Sequence, residues 1–226
     1  MAVKKETATL VEIKPRNVKL IPIKIIGDTP LIVHAWSEKA KKMMLEAQMK
    51  TTKTKAKDIR NPFDEFVQSM YWLTEVPEST PEAFEEAIKK GARFGFPLTG
   101  IKQGANSAAY RQGWVKNQME LRGSYFLKPA HDISGFGDMA EIISPEPPVM
   151  REDMVRIGNG SADLRYRGEF RNWSMEFIME YNASGNMTIE QILNCIDAGG
   201  FVCGIGEWRP EKDGDYGRYH LEVVNK

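Results

Sequence analysis

Cysteine is scarce in this chain: two in 226 residues, Cys195 and Cys203, and neither sits in a metal-spaced cluster. Both read as reduced core thiols. Histidine is nearly as rare, and His34, His131 and His220 show neither HxxxH nor HxE spacing. A zinc centre is therefore not expected. An excess of charge of either sign is also missing, since Lys+Arg and Asp+Glu number 31 each. That excludes a basic field over the whole molecule, so any nucleic-acid site has to be a local patch. There is no apolar run of the ~18 residues a membrane helix needs, and no apolar leader-like core near Met1. A soluble, cytoplasmic protein without a membrane partner is expected. No nucleophile elbow, phosphate-binding loop or internal repeat occurs. The acidic pairs Glu152-Asp153 and Asp213/Asp215 fall in expected turns and read as turn chemistry, not as a two-metal site. No metal and no cofactor is expected.

What is present concentrates between Thr188 and Val224. Thr188 and Gln191 have capping-box spacing, and Ile189, Ile192, Leu193 and Ile196 recur at helical intervals. Gly199 and Gly200 read as the helix stop. Phe201 to Trp208 reads as a glycine-broken strand, Asp213-Gly214 as a turn, and Tyr216 to Val224 as a second strand. Gly204-Ile205-Gly206 lacks the third glycine of a dinucleotide fingerprint, and it follows a helix instead of opening one. Two readings stay open for these glycines. One is a strand closely approached by neighbouring backbone. The other is a surface where a phosphodiester chain can approach Gly204 and Gly206. Arg209, Lys212 and Arg218 flank the run, with Trp208, Tyr216 and Tyr219 between them. Cations with flat rings suit a single strand.

Residues 1–16 read as a flexible arm, and 17–226 as a single domain. Val18 to Ile26 reads as a strand in which Pro22 argues for an edge or a bulge. Leu31 to Val33 extends briefly. Ser37 is placed to cap a helix whose Ala40, Met43, Met44 and Ala47 share a face, with Lys39, Lys41 and Lys42 largely opposite. Residues 38–60 carry eight basic and three acidic side chains, net +5; residues 61–90 carry two basic and seven acidic, net −5. Lys53, Lys55, Lys57 and Arg60 form either a solvated run or a basic finger for a polyanion. Helices are expected over 64–73, 82–90 and 99–118, and strands over 124–127 and 140–143. Met150 to Arg171 reads as a long hairpin turning at Gly158-Asn159-Gly160. Its arginines, Arg151, Arg156, Arg165, Arg167 and Arg171, either contact a strand alongside Tyr166, Phe170 and Trp173 or pair with Glu152, Asp153, Asp163 and Glu169. Ser174 to Tyr181 alternates as a half-buried strand.

The order of elements predicts an α+β fold, a ferredoxin-like βαββαβ antiparallel sheet with a helical insertion at about 51–123 and a β-hairpin at about 150–171. Val18–Ile26, Ser174–Tyr181, Phe201–Trp208 and Tyr216–Val224 are expected in one sheet, with helices 38–48 and 189–198 on its same face. AGGFVCGIGEWRP followed by DYGRYHLEV resembles the terminal element of the RAMP superfamily, the ferredoxin-like RNA-binding subunits of CRISPR complexes. It also resembles uncharacterised phage proteins ending in a GEWRPEK…GRF/Y motif. The first resemblance implies a guide-coating subunit with an arginine-bearing palm, matched to PLIVHAW, and a hairpin thumb, matched to 150–171. The expected function is non-catalytic, cooperative binding of single-stranded RNA or DNA with little sequence preference, by a homo-oligomer or filament, from a phage or prophage. Some processing ribonucleases of the same superfamily use a histidine near such a helix, so a metal-independent endoribonuclease with His34 as acid/base is the alternative. A phage protein that binds a host defence protein is a third.

Overall fold

The computed structural model describes residues 15–49, 59–131, 137–157 and 160–222. The first half holds β1 (Val18–Gly27), β2 (Leu31–Val33), α1 (Glu38–Gln48), α2 (Pro62–Gln68), β3 (Tyr71–Trp72), α3 (Pro81–Lys89), β4 (Phe94–Pro97) and α4 (Leu98–Arg111). The second holds α5 (Met119–Arg122), β5 (Tyr125–Pro129), β6 (Met139–Ile143), β7 (Val149–Ile157), β8 (Ser161–Phe170), β9 (Ser174–Asn182), α6 (Ile189–Ala198) and β10 (Tyr219–Glu222).

The centre of the molecule is an antiparallel sheet in the order β10-β1-β9-β5. With α4 between β1 and β5, and α6 between β9 and β10, this is the ferredoxin-like α+β fold that the order of elements predicts. Strand alternation sets which side is buried. Ile23 and Ile25 of β1 lie opposite Phe177 and Met175 of β9, and all four are buried. A one-residue slip would turn that set to the other face, so the pattern pins the register. Each such side chain contributes about 1.5–3 kcal/mol on burial. Among the described residues β10 pairs only with Lys24 to Gly27, so none of them flanks Pro22 on that side of β1. That agrees with the edge position its missing N–H requires.

The free edge of β9 is shared. β5 pairs with its C-terminal part, and β6 with Met175 and Ser174; β4 and β3 continue the sheet beyond β6. A second, three-stranded sheet in the order β2-β8-β7 carries the hairpin. Both cysteines are buried and free, as the sequence indicates.

Three expectations change. α1 is capped as predicted, with the Ser37 hydroxyl accepting from the Ala40 N–H at 3.2 Å, but its Met43, Met44, Leu45 and Met49 are exposed. The helix beside α6 is α4, whose Gly104, Ala105, Ala108 and Ala109 are small enough for close approach. Next, the helix expected over 64–73 stops at Gln68. The Ser69 hydroxyl turns back onto the Phe66 carbonyl, and Tyr71 and Trp72 pair with Gly95 and Phe94 as β3. Last, Phe201–Trp208 is no strand, and Gly199 and Gly200 do not stop α6. The helix widens into a π-turn over Gly199–Cys203, with the Gly204 N–H donating to the Gly199 carbonyl at 2.9 Å. The glycines serve packing: a Cβ on Gly199 would lie 2.9 Å from Ala105, and one on Gly200 would lie 1.9 Å from the Tyr219 carbonyl.

Candidate nucleic-acid interface

The chain leaving the π-turn is stitched to β2. Glu207 N–H donates to the Ile32 carbonyl at 2.9 Å, Gly217 N–H to the Pro30 carbonyl at 2.8 Å, and Ile205 N–H to the Gly217 carbonyl at 2.9 Å. Gly204 and Gly206 both have left-handed φ, +64° and +77°. A Cβ on Gly206 would stand 2.3 Å from the Ile32 carbonyl, and one on Gly204 2.7 Å from Pro210 Cδ. Close backbone approach accounts for both glycines, the plainer of the two readings. Trp208 is also left-handed, φ +52°, an unusual state for a bulky side chain, and 38% of the residue is exposed. Its carbonyl accepts from Tyr216 N–H at 3.0 Å. Arg209 clamps the turn by donating to the Gly206 carbonyl at 3.0 Å and to Glu211. Glu211 also takes Ser107 at 3.1 Å and Arg111 at 3.3 Å, which ties this segment to α4.

The hairpin docks one charged face against the same segment. Register places Arg151 opposite Arg167, and Asp153 opposite Arg165. Arg167 is 6% exposed; it lies 3.3 Å from Asp153 and 3.5 Å from Glu207. Arg151 donates to Asp153 and Glu169 at 2.8 Å each, and its guanidinium stands 4.5 Å from the centre of the Tyr216 ring. The other face carries Met150, Met154 and Leu164, all exposed.

A cleft of about 200 Å³ opens between the glycine turn and α4. Tyr71 and Phe96 form part of its wall, set edge to face at 6.3 Å. Gln103, Glu207 and His34 also line it, with His34 Nδ1 3.7 Å from Glu207 Oε1. The His34 imidazole, and after it the Arg167 guanidinium, hold the Glu207 carboxyl below its ordinary range against the opposing effect of burial. The Tyr71 hydroxyl is pushed up by burial and by the Glu207 charge.

The residues singled out from sequence fall into groups. Arg151, Arg167, Trp208, Arg209, Gly204 and Gly206 come together around this turn. Arg165 pairs with Asp163, and Arg171 with Glu169. Arg60 is held by Glu65, Asp163 and the Leu164 carbonyl, and so ties the start of α2 to the hairpin. Arg156 is exposed and has no ion partner among the described residues. Arg218 lies apart, at the foot of β10, where its N–H donates to Thr29 and its Nε is buried without a hydrogen bond among the described residues. Lys42 is exposed on α1. Lys53, Lys55 and Lys57 lie outside the described residues, as does the side chain of Lys39. Sequence reasoning missed Glu207, Tyr71, Phe96 and Gln103. Glu207 stood inside the quoted GEWRP string, but nothing in its spacing revealed its partners. Tyr71 lay in a segment read as helix.

The open face of the main sheet does not suit phosphate. Lys24 pairs with Glu222 at 2.8 Å and Lys128 pairs with Glu180, while Glu176 adds a third acid beside them. His220 and Asp28 close its edge at 2.6 Å. Among the described residues no group of His, Cys, Asp and Glu is placed to hold a metal, and no helix is long and apolar enough to cross a membrane.

No protein-family model and no curated protein sequence matches the chain. Among solved structures, the fold is similar to that of a chain in the cryo-EM structure of the type III-B Cmr-beta bound to cognate target RNA, with a TM-score of 0.51 and 10% identity. The match covers 91% of this chain and 59% of that one, so this chain spans under two thirds of its neighbour's length. At that identity the likeness is one of fold alone.

Proposed function

We propose that this chain is a non-catalytic protein that binds single-stranded nucleic acid, with copies side by side along the strand. The observation that carries the reading is the docking of the hairpin's arginine face on the 207–216 segment. It gathers the Gly204–Gly206 turn, the half-exposed Trp208 ring and several guanidinium groups on one side of the molecule. A ring of that exposure is available to stack on a base, a sequence-tolerant contact. The outer part of Arg171, and Arg156 on the hairpin's exposed face with Met154, supply charge for phosphate. The similar chain comes from a structure described as bound to target RNA, which supports RNA as the strand. The exposed Trp36, Met43, Met44 and Leu45 support a contact with a neighbouring copy. The test is fluorescence anisotropy of a labelled oligonucleotide at low salt. Cooperative binding is expected, weakening by roughly 0.7 log units per log unit of salt for each phosphate contacted. No binding to RNA or DNA strands at about tens of micromolar protein overturns the proposal.

A second reading is a metal-independent endoribonuclease, favoured by the place of His34 beside Glu207 at the cleft. A carboxylate at Nδ1 orients an imidazole so that its Nε2 can move a proton. Cleavage of RNA in chelator, abolished by His34→Ala, would put this reading first; intact RNA in that assay removes it.

A further inference from the structure

We propose that the cleft between α4 and the glycine turn holds one unstacked guanine of the bound strand, with Glu207 accepting from its Watson–Crick edge. This rests on the strand-binding reading above and narrows it, because one position along the strand then has a base preference.

Size comes first. About 200 Å³ is the space of some six or seven waters at ~30 Å³ each. It is below the ~300 Å³ at which sites for drug-sized ligands begin. One planar heterocycle fits; a nucleotide chain does not. The walls suit a flat ring. Gly100, Gly104, Gly204 and Gly206 present backbone without side chains, and the Tyr71 and Phe96 rings stand beside them. Single-stranded bases are commonly read in this way, against aromatic side chains and by their hydrogen-bonding edges.

Polarity then selects the base. Phosphate is disfavoured, because both Glu207 and Glu211 line the cleft. Arg209, Arg111 and Ser107 occupy Glu211. Glu207 is different: its ion partners stand at 3.5 and 3.7 Å, and its side chain is 39% exposed, so its oxygens remain able to accept hydrogen bonds. Its depressed carboxyl keeps it ionised at neutral pH. A carboxylate only accepts. Guanine alone among the four common bases offers two adjacent donors, N1–H and N2–H, and can meet both oxygens. Adenine and cytosine offer one exocyclic amine, and uracil one ring N–H. Two further groups suit guanine O6: the Gln103 amide and the Gly206 N–H, neither of which has a hydrogen-bond partner among the described residues.

The test is anisotropy on the full chain. A labelled oligouridine is compared with the same oligomer carrying one central guanine, adenine or cytosine, all at one salt concentration. The guanine oligomer is expected to bind about tenfold more tightly than the other three. Glu207→Gln exchanges an acceptor oxygen for a donor and should cut that preference to below about twofold. Because Glu207 also faces Arg167, Gln103→Ala is the control that leaves the core alone; it should lower the preference about threefold. Thermal melts verify that each variant is folded. Equal affinity for all four oligomers overturns the guanine site and leaves the strand-binding reading standing. A guanine preference untouched by both substitutions overturns its placement in this cleft. If no oligomer binds, calorimetry with guanosine and adenosine 5′-monophosphates decides. A guanine-selective signal keeps the site while the strand reading fails, and no signal overturns both.

Discussion

The Arg167 guanidinium lies between Asp153 and Glu207 with almost no exposure, and that position decides what its removal does. Arg167→Met should remove the buried cation that Asp153 and Glu207 share, leaving Asp153 to Arg151 and Glu207 to His34, and cost about 3 kcal/mol. At this chain length that is a fall of roughly 10 °C in Tm, read by differential scanning calorimetry. Arg156→Ala is the opposite case. Its side chain is exposed and unpaired among the described residues, so Tm should hold while the salt slope of strand binding drops by about 0.7. Trp208 separates ring from backbone. Trp208→Gly removes the ring but relieves a left-handed residue at φ +52°. Strand affinity should fall by about 1–3 kcal/mol with the salt slope unchanged, and Tm should not fall. A Tm loss with unchanged affinity would make the indole a packing group.

At the scale of elements, α1 and α6 share helical periodicity and differ in what they meet. α6 buries Ile192, Cys195 and Ile196 and continues into a π-turn pressed on β10. Gly200→Ala places a methyl 1.9 Å from the Tyr219 carbonyl, so the turn must shift, and a loss of more than about 2 kcal/mol is expected in denaturant titration. Met43→Glu on α1 should change stability by less than about 0.5 kcal/mol, because that side chain is already in solvent. A large loss from Met43→Glu in the isolated protein would show that α1 packs on something after all. The same variant should reduce cooperativity on a strand if α1 meets a neighbouring copy, which a titration at several protein concentrations measures.

For the whole molecule, zero net charge does not mean few charges. Arg60, Arg93, Arg111 and Arg167 are matched to carboxylates of other elements, and the acid limb of stability follows from such pairs. Glu207 and Glu211 are both held below their ordinary range: Glu207 by the His34 contact and then Arg167, Glu211 by Arg209 with Ser107 against a larger burial effect. A depressed carboxyl contributes stability that is present above its unfolded pKa, near 4.5, and is lost as pH falls through the folded value. Tm should therefore drop on acidification below about pH 4.5, and Glu207→Gln should shallow that drop in a pH series of melts. The thiols give an independent check of the core. Burial pushes Cys195 up to about 11 and Cys203 upward too, so alkylation should be slow in the native protein and rapid in denaturant.

By itself, the sequence determined those parts whose physics is local. The Thr188–Gln191 capping box, the Ser37 cap, the alternation of Ser174 to Tyr181 and the long hairpin are all found where short-range patterns place them. So is the ferredoxin-like order of elements, because alternation and helical spacing mark strands and helices one at a time. Tertiary structure decided what periodicity cannot express. It chose α4 over α1 as the partner of α6, since small residues matter only once two helices meet. It carried α6 through Gly199 and Gly200, because those glycines answer to Ala105 and Tyr219 from distant parts of the chain. It paired Arg151 and Arg167 with Asp153 and Glu169, one of the two readings that the hairpin's sequence leaves open. And it brought Tyr71, Gln103 and Glu207 to one cleft from three separate stretches, a juxtaposition that exists only after the chain has closed on itself.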